Sequence, residues 1–356
     1  MTTNALPQVL AHLDEQTLLS MYWMMLLSRK VDERAWALHR QSKIAFHISA
    51  MGQEATQVGA AFAIHRGVDY VHPYYRDLAL CLAVGITPTD FMMSLYAKTG
   101  EYSSNARQMP SHFGAKHLNI ISGSAPVATQ VPQAAGLAFA IKYRQQNGLV
   151  DRHDASQPRL ALTCLGEGST SQGEWHEGMN WAGVHKLPFI CLVQNNAYAI
   201  SVPVESQMAI ANVADRAAGY GIAGVVVDGN DILAVYAVMK VAVERAYNGD
   251  GATLVEAKTY RIVPHSSDDD DRSYRSREEV ASWKLRDPIL RFREVLMAEG
   301  VLTTDAADTM DRRARAEVDA AQAAAEAAPS PEPEDALGAV YAPLDPEAFP
   351  HEATPS

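Results

Sequence analysis

What this sequence has little of narrows its chemistry before any motif is read. It holds 3 cysteines in 356 residues, Cys81, Cys164 and Cys191, none near another in the chain. That argues against a disulfide framework, zinc binding or thiol redox chemistry. It suits a reducing compartment, with core packing as the role. No apolar run approaches the roughly 20 residues that cross a bilayer. The N-terminus, MTTNALPQVLAHLDEQT, has no basic patch leading into an apolar one, is poor in arginine and carries Asp14 and Glu15. Neither a secretory nor a mitochondrial presequence is evident, so a cytoplasmic location is expected. Positive charge is also short. The 30 Lys and Arg against 42 Asp and Glu leave a net charge of -12, which argues against nucleic acid as the main partner. There is no GxxxxGK[ST] phosphate loop of the nucleotide-binding kind and no internal repeat.

What is present is a 47% hydrophobic chain, enough for a large buried core. Its centre is the stretch 159–202. An apolar run, Leu160 to Leu165, ends at Gly166-Glu167-Gly168; a second, Phe189 to Val193, ends at Gln194-Asn195-Asn196; a helical segment lies between. This predicts a βαβ unit of a parallel sheet. Both polar endings then fall at carboxyl ends of strands, where open α/β sheets bind ligands. The glycines allow close backbone approach. One carboxylate and one amide oxygen suit Mg²⁺, which completes its octahedron with water and phosphate. Read alone, a Gly-x-Gly after a strand is usually only a tight turn.

The alternation continues on both sides. Residues 15–41 predict a long helix, with Leu18, Leu19, Tyr22, Met25 and Leu26 at helical spacing. Further helices are expected after Gly52, from Val131 to Tyr143, near Ile210 to Tyr220, and through Tyr247 with Asn230 or Asp231 as N-cap. Strands are expected at Tyr70-Val71, Gly224–Val227 and Thr253–Lys258. The fold class is therefore α/β, a doubly wound parallel sheet with helices on both faces. The expected organisation is an N-terminal arm (1–14), an α/β domain (15–300), an Ala- and Glu-rich C-terminal helix (301–328) and an extended acidic, Pro-rich tail (329–356). In the tail, Leu337, Val340 and Tyr341 suit contact with a partner subunit.

Three polar clusters stand out. In Tyr74-Tyr75-Arg76-Asp77, arginine offers planar charge-assisted bonds to phosphate and tyrosine a neutral donor, although a surface helix start reads equally well. Residues 103–133 form a long connection too rich in Gly, Pro and polar residues for regular structure at first, a pattern that is often functional. In 259–275, His265 precedes Asp268 to Asp271, with Arg261, Arg272 and Arg275 able to pair with the acids and stiffen the loop. A lone loop histidine is more often simply exposed.

The text GEGSTSQGEWHEGMNWAGVHKLPFICLVQNNAYAIS, with Arg107 to His112 (RQMPSH) and Pro264 to Arg275 (PHSSDDDDRSYR), resembles the alpha subunit of the thiamine-diphosphate-dependent 2-oxoacid dehydrogenase decarboxylating component, branched-chain type. The resemblance covers roughly residues 15 to 300. It implies a thiamine-diphosphate-binding fold, oxidative decarboxylation of a 2-oxo acid, and acyl transfer to lipoyl groups of an acyltransferase core. It also implies that Glu167, Asn196 and the backbone carbonyl of Tyr198 hold Mg²⁺. Tyr75, Arg76, Ala125, Val127, Gly166, Gly168, Ser169, Gln194, Ile200 and His265 would contact the cofactor. His265 would assist acyl transfer, and Phe46, Tyr75, Met109 and His112 would wall the substrate. Ser124, Pro126, Thr129 and Gln130 could supply oxygens to a K⁺ ion. Three departures matter. Glu167 stands for the commoner Asp, as in branched-chain members. Ala125 stands where Ser is frequent. Gln194 stands where some members place a phosphate-binding Arg, so a weak contact or none is expected there. The chain has no room for the second, pyrimidine-binding domain of this enzyme class, which implies a separate beta subunit and an α₂β₂ heterotetramer. Pyruvate or acetoin dehydrogenase alpha subunits and a non-catalytic scaffold of the same fold are the alternatives.

Overall fold

The computed structural model describes residues 13–149 and 159–338. The expectations for the first 12 residues and for the tail from 339 onward, Val340 and Tyr341 included, lie outside the described residues.

The long first helix, α1 (Glu15–Arg40), starts where the Asp14 carboxylate accepts from the Thr17 amide. After α2 (Glu54–Ala63) the chain enters β1 (Tyr70–His72) and the short helices α3 (Leu78–Val84) and α4 (Pro88–Leu95). The long connection then leads to α5 (Gln130–Gln146). Next come β2 (Ala161–Gly166), α6 (Gly173–Val184), β3 (Phe189–Asn195) and a small antiparallel hairpin of β4 (Tyr198–Ala199) and β5 (Val202–Pro203). β6 (Ala223–Asp228), α7 (Ile232–Tyr247) and β7 (Thr253–Lys258) complete the sheet; α8 (Arg277–Lys284), α9 (Pro288–Ala298) and α10 (Thr304–Ala327) follow. The strand order is β1-β2-β3-β7-β6 and every pair is parallel.

Successive strand residues point to opposite faces, and β3 shows what that builds. Ile190 and Leu192 enter one core with Val58 of α2 and Val235 and Met239 of α7. Phe189, Cys191 and Val193 enter the other with Val131 and Ala135 of α5 and Trp175 and Met179 of α6. A strand covered on both faces reads as a continuous apolar run rather than an alternating one. Gly178 lets α6 lie on α5, since a Cβ there would sit 2.8 Å from the Pro132 nitrogen. The three cysteines are free and buried in these cores. Among the described residues no helix is long and apolar enough to cross a membrane.

Some elements differ from expectation. The segment near 210–220 is a 3₁₀ helix, Val213–Tyr220, rather than an α-helix; its Arg216 is drawn to the Thr170 carbonyl at 2.8 Å. The β4–β5 hairpin had no counterpart in the sequence reading. Asp231, not Asn230, caps α7 through the Leu233 and Ala234 amides. The Ala-rich α10 packs Ala314, Val318, Ala321 and Ala325 into the same core as α1. Beyond it the Pro329 carbonyl accepts from Thr99 (3.0 Å) and the Asp335 carbonyl from Arg107 (2.9 Å). Leu337 is largely exposed.

Candidate active site

A cavity of about 400 Å³ opens at the carboxyl ends of β2 and β3, the edge a parallel α/β sheet offers to ligands. β2 runs out at Gly166, where a Cβ would meet nothing within 4 Å, so the backbone faces open space. The chain then turns through a 3₁₀ segment, Glu167–Ser171. Gly168 makes that turn feasible, because a Cβ there would fall 2.4 Å from the Ala199 Cβ. The turn and the β4–β5 hairpin thus meet closely enough for Glu167 to reach Asn196. One carboxylate oxygen, Oε2, accepts from the Asn196 amide at 3.2 Å. The other, Oε1, is buried without a partner. Burial raises the pKa of this carboxyl, against the pull of the Asn196 amide and its own backbone.

A buried oxygen left unmatched costs about 1–3 kcal/mol, so Glu167 Oε1 is a place for a cation. Asn196, whose amide meets the other oxygen, lines the same cavity, with its Oδ1 3.4 Å from the Tyr198 amide. No group of three His, Cys, Asp or Glu side chains among the described residues is placed to hold a metal. The donors here are instead one carboxylate, one amide and the nearby backbone. That hard, sparse oxygen set fits Mg²⁺, which keeps water and phosphate as its other ligands. Tyr198 is fixed from behind: its hydroxyl donates to both Glu279 oxygens at 3.0 Å, and Tyr260 donates to Glu279 at 2.9 Å. Trp283 of α8 stacks on Tyr260, with centroids 4.9 Å apart.

A second wall is cationic. Arg76, 2% exposed, donates to the Ser49 carbonyl and to Nδ1 and the carbonyl of His265, the last two at 3.3 Å. Arg261, 1% exposed, donates to the same His265 Nδ1 at 2.7 Å and to the Ile200 carbonyl at 2.6 Å. With Nδ1 accepting from both guanidiniums, the ring proton belongs on Nε2. Burial first, then Arg76 and Arg261, push the His265 pKa down to about 3, so the free imidazole is neutral.

The loop that carries His265 is tied down at several points. The His265 amide donates to Asp269 at 2.8 Å, and the Tyr274 hydroxyl also donates to Asp269. Arg275 donates to the carbonyls of Arg261 and Val263 and to Asp271. Asp269, Asp270 and Asp271 are thus spent on the loop itself, while Asp268 reaches His39 of α1 at 3.3 Å. Outside it, the amide of His47 donates to Ser267 Oγ (3.1 Å) and the Ser267 amide to the His47 carbonyl (2.9 Å). His47 Nε2 in turn lies 2.7 Å from Asp32 of α1, both fully buried.

Phe46, Tyr75, Met109, His112, Ala125, Val127, Ser169 and Ile200 also line the cavity. Every cofactor and substrate candidate lines this cavity except Gln194. That expectation is corrected: Gln194 is fully buried, its nitrogen donates to Asp77 at 2.5 Å and its oxygen accepts from Gln57 at 3.0 Å. It points, like Ile190 and Leu192, toward α2. Asp77 is held there with its pKa raised by burial to about 7. Of the K⁺ candidates, Thr129 donates to the Pro126 carbonyl at 2.8 Å and meets Ser124. Gln130 instead donates its amide to the Cys164 carbonyl of β2 at 2.9 Å. Ile48 and Ala199, which carried no expectation, also line the cavity, as do Tyr74 and Arg261. Arg261 was expected to pair with the acids of its loop and instead donates to His265 and Ile200. For Arg261 the available signal was its position between the end of β7 and His265.

A parallel sheet with two buried guanidiniums and an unpartnered carboxylate oxygen in one cavity at its carboxyl edge suits an anionic ligand bound with a cation. The model of the dehydrogenase E1 component family matches residues 22–334, and the chain belongs to that family. The family is thiamine diphosphate dependent and its members are 2-oxoacid dehydrogenases. Among its relatives, the chain is 51% identical over 330 residues to the 2-oxoisovalerate dehydrogenase subunit alpha of Bacillus subtilis, covering 93% of this chain and 97% of that one. It is 39% identical over 303 residues to the 3-methyl-2-oxobutanoate dehydrogenase subunit alpha of Mycobacterium tuberculosis, covering 85% and 77%. It is 37% identical over 311 residues to the pyruvate dehydrogenase E1 component subunit alpha of Staphylococcus aureus, covering 87% and 78%.

Proposed function

We propose that this chain is the alpha subunit of a branched-chain 2-oxoacid dehydrogenase, working with a beta subunit as an α₂β₂ heterotetramer and passing acyl groups to a lipoyl acyltransferase core. The observation that carries the reading is the pairing, in one cavity, of an unpartnered Glu167 oxygen with the guanidiniums of Arg76 and Arg261, whose hydrogen-bond partners are all neutral. The first suits Mg²⁺ and the second a diphosphate. Bound thiamine diphosphate supplies the carbon nucleophile and electron sink for removing CO₂ from a 2-oxo acid.

The chain's own residues bind, orient and exclude water. Glu167, Asn196 and the Tyr198 carbonyl hold Mg²⁺; the backbone at Gly166, Gly168 and Ser169 leaves room for phosphate; Tyr75 and Arg76 bind it. Ala125, Val127 and Ile200 add apolar contact. Phe46, Met109 and His112 wall the 2-oxo acid. His265 presents Nε2–H and holds a proton at the mouth during acyl transfer. A K⁺ ion at Ser124, Pro126 and Thr129, and a cytoplasmic location, belong to the same proposal.

The 51% and 39% relatives are both named for branched-chain 2-oxo acids, and the 37% relative for pyruvate. That gradient supports the branched-chain assignment over the pyruvate and acetoin readings. Initial rates of the reconstituted α–β complex test it: turnover of 4-methyl-2-oxopentanoate should exceed that of pyruvate, and the reverse order would overturn the assignment. His265→Ala should leave cofactor binding nearly intact while lowering acyl transfer to lipoyl groups by roughly 10²–10⁴-fold. Decarboxylation read with an artificial electron acceptor should fall less. Equal losses in both assays would remove His265 from that role.

A further inference from the structure

We infer that Arg261 is a second phosphate-binding cation, filling the role that Gln194 has left; the inference rests on the thiamine diphosphate reading of the cavity. Gln194 is committed to Asp77 and Gln57 beneath the floor and does not reach the open space. Arg261 lines that space. Its guanidinium is 1% exposed, and its Nε–H is buried with no partner. Its other donors go to His265 Nδ1 and the Ile200 carbonyl, both neutral. Taking a guanidinium out of water without a counter-charge is unfavourable by several kcal/mol.

Arg76 sharpens the point. It donates to the same His265 nitrogen, so two like charges are held a few ångströms apart, again with neutral partners only. The one carboxylate among the described residues of the lining is Glu167, and a metal on its free oxygen would take up that charge. The remaining excess of positive charge calls for a compact polyanion, and a diphosphate with oxygens on two phosphorus atoms can answer both guanidiniums and the idle Nε–H. Loop closure alone does not account for the arrangement. The loop is already held by Asp269, Asp271, Tyr274 and Arg275, and none of those bonds uses the Arg261 side chain.

The test uses the full chain purified with its beta subunit, with calorimetry of thiamine diphosphate, unphosphorylated thiamine and inorganic diphosphate in the presence of Mg²⁺. Arg261→Gln should weaken thiamine diphosphate and inorganic diphosphate on the order of 10–100-fold, the loss expected for a buried charge-assisted contact, with thiamine unchanged. Arg261→Lys, which keeps the charge without the fork, should fall between. If Arg261→Gln fails to fold, an undiminished affinity in Arg261→Lys overturns the inference. So does unchanged diphosphate binding in Arg261→Gln, or a loss that extends equally to thiamine. Arg261-dependent binding of inorganic diphosphate by a wild-type complex that ignores thiamine diphosphate would keep the anion site and overturn the cofactor reading instead.

Discussion

Glu167→Ala should abolish Mg²⁺-dependent binding of thiamine diphosphate while leaving the folded chain intact. Glu167 is the one carboxylate among the described residues of the lining, and its Oε1 has no partner. A divalent cation would lose its only charged protein ligand, an effect of about 3 kcal/mol or more, or at least ~100-fold in affinity. The free protein should respond differently. Its Glu167 is already unfavourable, buried with one lone oxygen, so removing it gives up little beyond the bonds from the Asn196 amide and its own backbone. The melting temperature without ligand should move by only a few degrees, whereas the rise produced by Mg²⁺ and cofactor together should vanish. Glu167→Gln separates charge from size: it keeps the volume and should still lose most of the affinity. A Glu167→Ala complex that still shows a full cofactor-induced thermal shift would refute the metal assignment.

The second large effect is expected from the chain by itself. Purified without a beta subunit, it should not decarboxylate any 2-oxo acid above background, even with saturating cofactor and Mg²⁺. Deprotonating thiamine needs a carboxylate at the aminopyrimidine end, and among the described residues Glu167 is the only acid in the lining, already assigned to the phosphate end. The described residues hold one five-stranded sheet and one small hairpin, so no second pyrimidine-binding domain is found among them. Phe139, Tyr143, Trp181 and Val184 expose apolar surface on α5 and α6, as subunits with partners commonly do. Adding a beta subunit should raise the rate by ~10³-fold or more, the scale of a missing acid–base group with its binding site. Steady turnover by the chain alone, in a preparation shown free of other subunits, would refute the half-site view.

How much could be read beforehand follows from how each feature is encoded. The Phe189–Val193 run was legible because β3 is buried on both faces. The glycines at 166 and 168 were legible because local backbone demands leave local traces. For Gln194 the resemblance left room for a weak contact or none, and the two-residue period of β3 sets it on the α2 side with Ile190 and Leu192, away from the cavity. Arg261 was missed as part of the site. Its bond to His265 is local, but its bond to Ile200 spans 61 residues. The buried setting that defines its role, with neutral hydrogen-bond partners only, exists only after the loops have met. The β4–β5 hairpin, with two residues to a strand, is too short for any period to register.

The shared grip on His265 has a consequence for the direction of proton traffic. Nδ1 is covered by donors from Arg76 and Arg261. A proton can enter or leave the ring only through Nε2, and the second tautomer would set an N–H against two guanidiniums. The imidazole is therefore a single-port device: it can lend a proton and take it back at one atom, but it cannot relay one across the ring into the protein. Protons that arrive at this mouth must leave by the same side, with substrate or solvent.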